Sequence, residues 1–248
     1  MRSLMAVLVA GSISAMPNPT HAQTRAVGHF YKVIVSPYIQ ATFVEGSEES
    51  VTVNSTIVDS DKLHVEVHGG ELRLYLDGAK DLPHYQRDYR EDDGQQSHPL
   101  YPNHAVIVTV VYKKLDALSL RGTETYLCES PLSEKKFTLR VYGEGNVIFT
   151  EVHLSKMHTI LYGESCLDIR SGEANEQYYT CYGEGKVNST AIAGQAAKVT
   201  AFGEAEFKVN VSDVIRVTSF GEARVCYLGN PTIIKALHFG GVDLRRLN

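Results

Sequence analysis

One short phrase returns through the second half of this 248-residue chain and limits what it can fold into. It reads Tyr142-Gly143-Glu144-Gly145, Tyr162-Gly163-Glu164-Ser165, Tyr182-Gly183-Glu184-Gly185, Phe202-Gly203-Glu204-Ala205 and Phe220-Gly221-Glu222-Ala223. Weaker copies stand at Arg121-Gly122-Thr123 and Phe239-Gly240-Gly241. The anchor glycines are 21, 20, 20, 20, 18 and 19 residues apart. A fixed period near 20 residues marks a solenoid, because a unit that small cannot bury its own apolar face and must stack on its neighbours.

Aligned on the glycine, the units alternate. Two, four and six residues before it stand Val141, Leu139, Phe137; Leu161, Thr159, Met157; Ala201, Val199, Ala197; Ser219, Val217, Ile215. Four and six residues after it stand Val147 and Phe149, Leu167 and Ile169, Phe207 and Val209, with polar residues between. Period two means strands with one face inward. Turn-formers close the units, as at Gly172-Glu173, Gly194-Gln195 and Gly229-Asn230-Pro231. The reading is two strands and two corners per coil. No unit holds an apolar stripe at helical spacing, and glycine recurs too densely for helices. The expected fold is all-β: a parallel β-helix-like solenoid of about 20-residue coils over residues 118–248, preceded by an N-terminal β region over 23–117.

Residues 1–22 read as a secretory signal: Arg2, the apolar run Leu4 to Ala10, then Thr20-His21-Ala22. The expectation is export to the periplasm, the outer-membrane surface or the extracellular space. No cysteine stands near the end of that run to carry a lipid, and no window approaches a membrane span. Removal of the segment takes one charge, Arg2, so the net charge of −5 becomes −6. That mild acidity, without a basic stripe, argues against a nucleic-acid partner. From residue 23 onward the chain carries further strands, among them Lys32–Val35, Ile39–Val44 and Leu63–Leu76, the last turning at His68-Gly69-Gly70. Residues 77–103, rich in Arg, Asp, Tyr and Pro, read as a long surface loop. No linker separates the halves, so residues 23–248 are expected to form one domain.

Catalytic and cofactor motifs are missing: there is no Gly-x-Ser-x-Gly elbow, His-Glu-x-x-His, P-loop or Cys-x-x-Cys. No cofactor is implied. Two columns remain. Glu144, Glu164, Glu184, Glu204 and Glu222 hold one repeat position, and coils stack ~4.8 Å apart. Such a stripe can attract a cation, yet it lacks the convergent ligands of a strong Ca²⁺ site, so Glu144, Glu164, Glu184 and Glu204 are weak metal candidates. Beside it run Tyr142, Tyr162, Tyr182, Phe202 and Phe220, continued by Phe239. Strict alternation points these rings outward as a binding stripe. A glycine corner can also break the alternation and stack them inside. Four cysteines fall at repeat positions where no two can meet: Cys166 and Cys226 on outward parity three coils apart, Cys181 inward, and Cys128 in the first weak coil. No disulfide is expected.

The order of these elements is familiar. The first strand pair with its Val44-Glu45-Gly46 turn, the Leu63–Leu76 hairpin, the Val/Thr strand at 106–111, the entry Leu115-Asp116-Ala117-Leu118-Ser119-Leu120-Arg121-Gly122 and the glycine repeats resemble the bacterial head GIN domain family of auto-transporter adhesins, over nearly all of residues 28–230. The resemblance implies a right-handed parallel β-helix-like fold and a non-catalytic role in adhesion at the cell envelope, with a glycan or protein partner. Here Glu follows the corner glycine, where the family favours Ser-Gly-Ser-Gly-type corners. Two other functions compete. A carbohydrate-active enzyme would need two carboxylates ~5–10 Å apart in a groove and in distinct environments. A structural or signalling scaffold of the envelope would need neither.

Overall fold

The structure, a computed structural model, describes the backbone of residues 23–81, 85–90 and 94–248 and their side chains outside 82–97. The expected export signal over 1–22 lies outside the described residues. Among the described residues nineteen strands follow in chain order. The first nine are β1 (Gln23–Ala26), β2 (Lys32–Val35), β3 (Ile39–Glu45), β4 (Ser50–Thr56), β5 (Leu63–His68), β6 (Glu71–Leu76), β7 (Tyr85–Arg90), β8 (Gly94–Pro99) and β9 (Val106–Tyr112). The repeat supplies β10 (Ala117–Gly122), β11 (Thr125–Cys128), β12 (Leu132–Gly143), β13 (Asn146–Phe149), β14 (Val152–Gly163), β15 (Cys166–Ile169), β16 (Gly172–Gly183), β17 (Lys186–Leu228), β18 (Thr232–Phe239) and β19 (Val242–Arg246). The one helical turn among the described residues is a 3₁₀ turn at Ser60–Lys62.

The repeat folds as its period requires. Strands one coil apart pair in parallel with the glycines in register: Gly122 opposite Gly143, Gly143 opposite Gly163, Gly163 opposite Gly183. At three successive corners the amide after the glycine donates to the carbonyl of the glycine one coil back, at 3.1 Å for Glu144 and Glu164 and 3.0 Å for Glu184. Every residue assigned inward in the alternation is buried, from Phe137, Leu139 and Val141 to Phe207 and Val209. Burial of these side chains, at roughly 1.5–3 kcal/mol each, drives the stacking.

A coil has three segments where two were expected. The inward alternation runs on past the turn-formers into Leu132, Val152 and Leu154, which are buried. It then breaks at two consecutive exposed residues, Lys135-Lys136 and Ser155-Lys156. The pairing skips Lys135 and Ser155 there, from Glu134 opposite Leu154 to Lys136 opposite Lys156. Two successive outward residues turn a parallel strand through a corner without a glycine, so sequence signals at glycine alone miss it.

The N-terminal strands belong to the same stack. Strand β2 pairs in parallel with β10 on one side and β6 on the other. Strand β3 pairs in parallel with β11 and β9. Two further layers therefore precede the repeat, and one apolar core runs from Phe30 to Val225. Antiparallel strands close that end: β5 on β6, and β4 on β9 with β1 outside it. The 77–103 excursion, read as a loop, carries the antiparallel hairpin β7–β8 as a separate small sheet. The strand signal was hidden there in a run dominated by charge.

All four cysteines are free thiols. Cys128 and Cys181 are buried, and burial pushes both thiols up, Cys181 to about 12. Cys226, expected outward, is also buried. Strict alternation fails there, since Val225 beside it is buried too.

Candidate functional site

The glycine corners gather both columns of the sequence reading on the surface. The residue before each glycine ends one strand with its side chain outward, and the residue after it begins the turn. The aromatic residues stack as a ladder: Tyr142 on Tyr162 at 4.8 Å between ring centroids, Tyr162 on Tyr182 at 4.9 Å, Tyr182 on Phe202 at 4.7 Å, Phe202 on Phe220 at 5.0 Å. The interplanar angles are 3–6°. Phe239 ends the ladder at 5.7 Å and 27°. Arg121 closes the other end, its guanidinium 5.7 Å over Tyr142. The alternative of rings inside the solenoid is therefore set aside: Tyr182 is 40% and Phe202 36% exposed. Ring spacing equals strand spacing, so the flat stack follows from the parallel register.

Each interior ring has both faces covered by its neighbours. What the ladder shows to solvent is a row of ring edges, with hydroxyls at Tyr142, Tyr162 and Tyr182. On one flank lies Arg140, Ile160, Thr180, Thr200 in cross-strand register, continued by Thr218 at the same repeat position. On the other flank Glu144, Glu164, Glu184, Glu204 and Glu222 stand exposed in a column. A groove of about 570 Å³ follows the last three of these, lined also by Lys186, Arg224 and Asp243. Among the described residues no three His, Cys, Asp or Glu side chains converge as a metal-holding set. The five acids share one kind of environment, and no two of them are set apart as an acid and a base.

The sequence reading missed Glu124. It sits two residues after Gly122, at the inward position that Gly145, Ser165, Gly185, Ala205 and Ala223 fill in later coils. It is 1% exposed. Its carboxylate accepts from the Tyr38 amide at 3.1 Å and the Thr123 amide at 2.9 Å, with the Tyr126 hydroxyl at 3.4 Å. Tyr38 is a positive-φ residue in the β2–β3 turn, so Glu124 ties that turn to the first repeat coil. A charged residue in a column of Gly, Ser and Ala was the available signal. Burial holds this carboxyl above its usual range, against the pull of the amides that donate to it. A carboxyl raised by folding stabilises the fold when protonated. That gain is full below its unfolded value and is lost as pH rises through the folded one. The unfolding free energy of the protein minus that of Glu124→Gln should therefore grow as pH falls from neutrality into the ordinary carboxylate range. Denaturant titrations at both ends of that interval check it, and a difference that stays constant would remove the burial argument.

Coils, ladder and corner column define a parallel β-solenoid with a repeated surface stripe. Its fold is shared. A putative adhesin from Bacteroides fragilis NCTC 9343 superposes with a TM-score of 0.73 at 16% identity, covering 92% of this chain and 96% of that one. A putative adhesin from Parabacteroides merdae ATCC 43184 gives 0.63 at 15%, over 92% and 96%. A protein from Parabacteroides distasonis ATCC 8503 described as a putative lipid binding protein gives 0.64 at 16%, over 92% and 98%. Among curated proteins no sequence matches this chain. The family model "Putative auto-transporter adhesin, head GIN domain" matches residues 29–231, and the chain belongs to that family.

Proposed function

We propose that the chain is an exported, non-catalytic adhesion module whose contact surface is the aromatic ladder, and that its partner is a protein surface. Family membership supports adhesion. Among the described residues no helix is long and apolar enough to cross a membrane. One observation carries the choice of partner: the ring faces are used up by ring-on-ring stacking at 4.7–5.0 Å. Sugars recognised by aromatic residues lie on open ring faces. A row of edges flanked by threonines and carboxylates instead offers a flat amphipathic strip, suited to the core and rim of a protein contact. Ca²⁺ along the Glu column is expected to bind weakly, since exposed acids on a flat stripe do not supply six to eight convergent ligands.

The test is an array that carries matrix proteins and glycans side by side. The double variant Tyr182→Ser/Phe202→Ser removes two adjacent rings, a hot-spot-sized loss expected to lower protein-spot binding about thirtyfold. Its far-UV spectrum should remain that of the parent. Glycan-spot binding that disappears in the same variant would assign the ladder to sugars and sink this reading.

A further inference from the structure

The two ends of the solenoid are built differently. Antiparallel strands β5 and β1 lie outside the parallel layers at the N-terminal end. At the other end, among the described residues, β18 and β19 each pair on one side only, with β17. Solenoids need their terminal coils covered, and a strand edge left open is a template for another strand. This end also keeps apolar side chains in view: Leu237 is 57% and Phe239 63% exposed, and Val242 and Leu244 are half-buried.

The backbone of β19 says which groups are free. The Ala223 amide donates to the Gly241 carbonyl at 3.0 Å, and the Leu247 amide donates to the Tyr227 carbonyl at 2.8 Å. Backbone direction alternates along a parallel strand, so residues 241, 243, 245 and 247 face β17. Val242, Leu244 and Arg246 then turn both N–H and C=O away from the molecule. Val242 and Leu244 stand opposite the buried Ala223 and Val225, so their side chains continue the core. Asp243 and Arg245 point outward, 3.0 Å apart, and Arg224 lies 3.5 Å from Asp243.

We propose that this end is a self-association surface, with β19 pairing antiparallel to β19 of a second copy about a two-fold axis at Leu244. In that register Leu244 faces Leu244 of the second copy and exchanges both hydrogen bonds with it. Val242 faces Arg246 on either side, again through free backbone groups. Asp243 then stands opposite Arg245 of the second copy, twice, in the non-hydrogen-bonded pairs where side chains come closest. A shift of two residues in the sum of paired positions keeps the free groups matched but sets Asp243 against Asp243 or Arg245 against Arg245. The charge pattern therefore selects one register and penalises its neighbours. A self-complementary patch of this kind is the mark of an isologous interface between identical chains.

Sedimentation equilibrium of the purified protein tests it. A dimer is expected at micromolar concentration. Arg245→Asp and Asp243→Arg each set like charges face to face and should raise the dissociation constant at least about tenfold. The double exchange Asp243→Arg/Arg245→Asp reverses both signs and should bring the constant back to within about threefold of the parent. Leu244→Pro removes an N–H that points off the molecule, so it should abolish the dimer and leave the far-UV spectrum unchanged. A monomer at all concentrations up to about 100 µM overturns the proposal, and so do single variants that dimerise as the parent does or a double exchange that folds without recovering.

Discussion

Gly163→Val and Gly183→Val should each cost about 3 kcal/mol or more of stability, while Glu164→Ala and Glu184→Ala stay within about 0.5 kcal/mol of the parent. Gly163 has φ +90° and Gly183 φ +116°, in the region that side chains avoid. The second obstacle is the neighbouring coil. A Cβ on Gly163 would lie 2.4 Å from the Gly143 carbonyl oxygen, and one on Gly183 would lie 2.8 Å from that of Gly163. Those carbonyls accept the amides of Glu164 and Glu184. The corner cannot open without losing the hydrogen bond that holds successive coils together. The adjacent glutamates are exposed and can be shortened without disturbing any buried group. Thermal melts give the comparison, with shifts of roughly 6–12 °C for the valine variants of a chain this size. Gly163→Ala is a control on cause: the clash begins at the first carbon, so alanine should lose most of what valine loses. Equal melting points across the set would remove the corner argument.

The repeat was legible because its physics is local. A positive-φ corner requires glycine and an inward position requires an apolar side chain, and both requirements are written at fixed offsets in each unit. That is why Phe137, Met157, Val199 and Ile215 could be placed inside from sequence alone. Strands β2 and β3 were found as strands, but their partners lie far along the chain. Nothing near Lys32 says that it will stand opposite Ala117 and Glu71. The third corner of these coils was missed because it is made of two outward polar residues, Lys135-Lys136 or Ser155-Lys156, and polar pairs have no special backbone. The aromatic column was visible as a column. Its outward placement was not, since a glycine corner allows either direction. The face-to-face stacking that decides its chemistry came only from the register of the coils. Glu124 escaped for the opposite reason: it breaks the repeat in the one coil whose phrase is weakest.

Gln177→Leu should destabilise the protein by about 2–3 kcal/mol, although it replaces a polar residue with an apolar one in the core. Position 177 lies six residues before its glycine, in line with Phe137, Met157, Ala197 and Ile215, where an apolar residue is the rule. Gln177 is 1% exposed and sits between Met157 and Ala197. Its side-chain oxygen accepts from the Tyr179 hydroxyl at 3.1 Å and from Ser189 at 3.0 Å, and its amide donates to the Ala174 carbonyl at 3.3 Å. The one proton of Ser189 is shared between Gln177 and the Lys208 carbonyl at 3.1 Å. Ser189 itself fills a position held by Phe149, Ile169 and Val209 in other coils. Burial raises the Tyr179 phenol far above its usual value, against the pull of the Ser189 hydroxyl beside it, so the phenol answers the loss of Gln177 as a neutral group with that one shared hydroxyl still in reach. Leucine at 177 therefore gains apolar contact and removes the acceptor that two buried hydroxyls share, and the second effect is the larger. The whole network can be exchanged for the pattern its neighbours use. Gln177→Leu combined with Tyr179→Phe and Ser189→Val removes every side-chain donor and acceptor of the group and should return stability to within about 1 kcal/mol of the parent. Denaturant unfolding of the single and triple variants separates the two contributions. A triple variant no more stable than Gln177→Leu would mean that shape, and not the lost acceptor, sets the cost at this position.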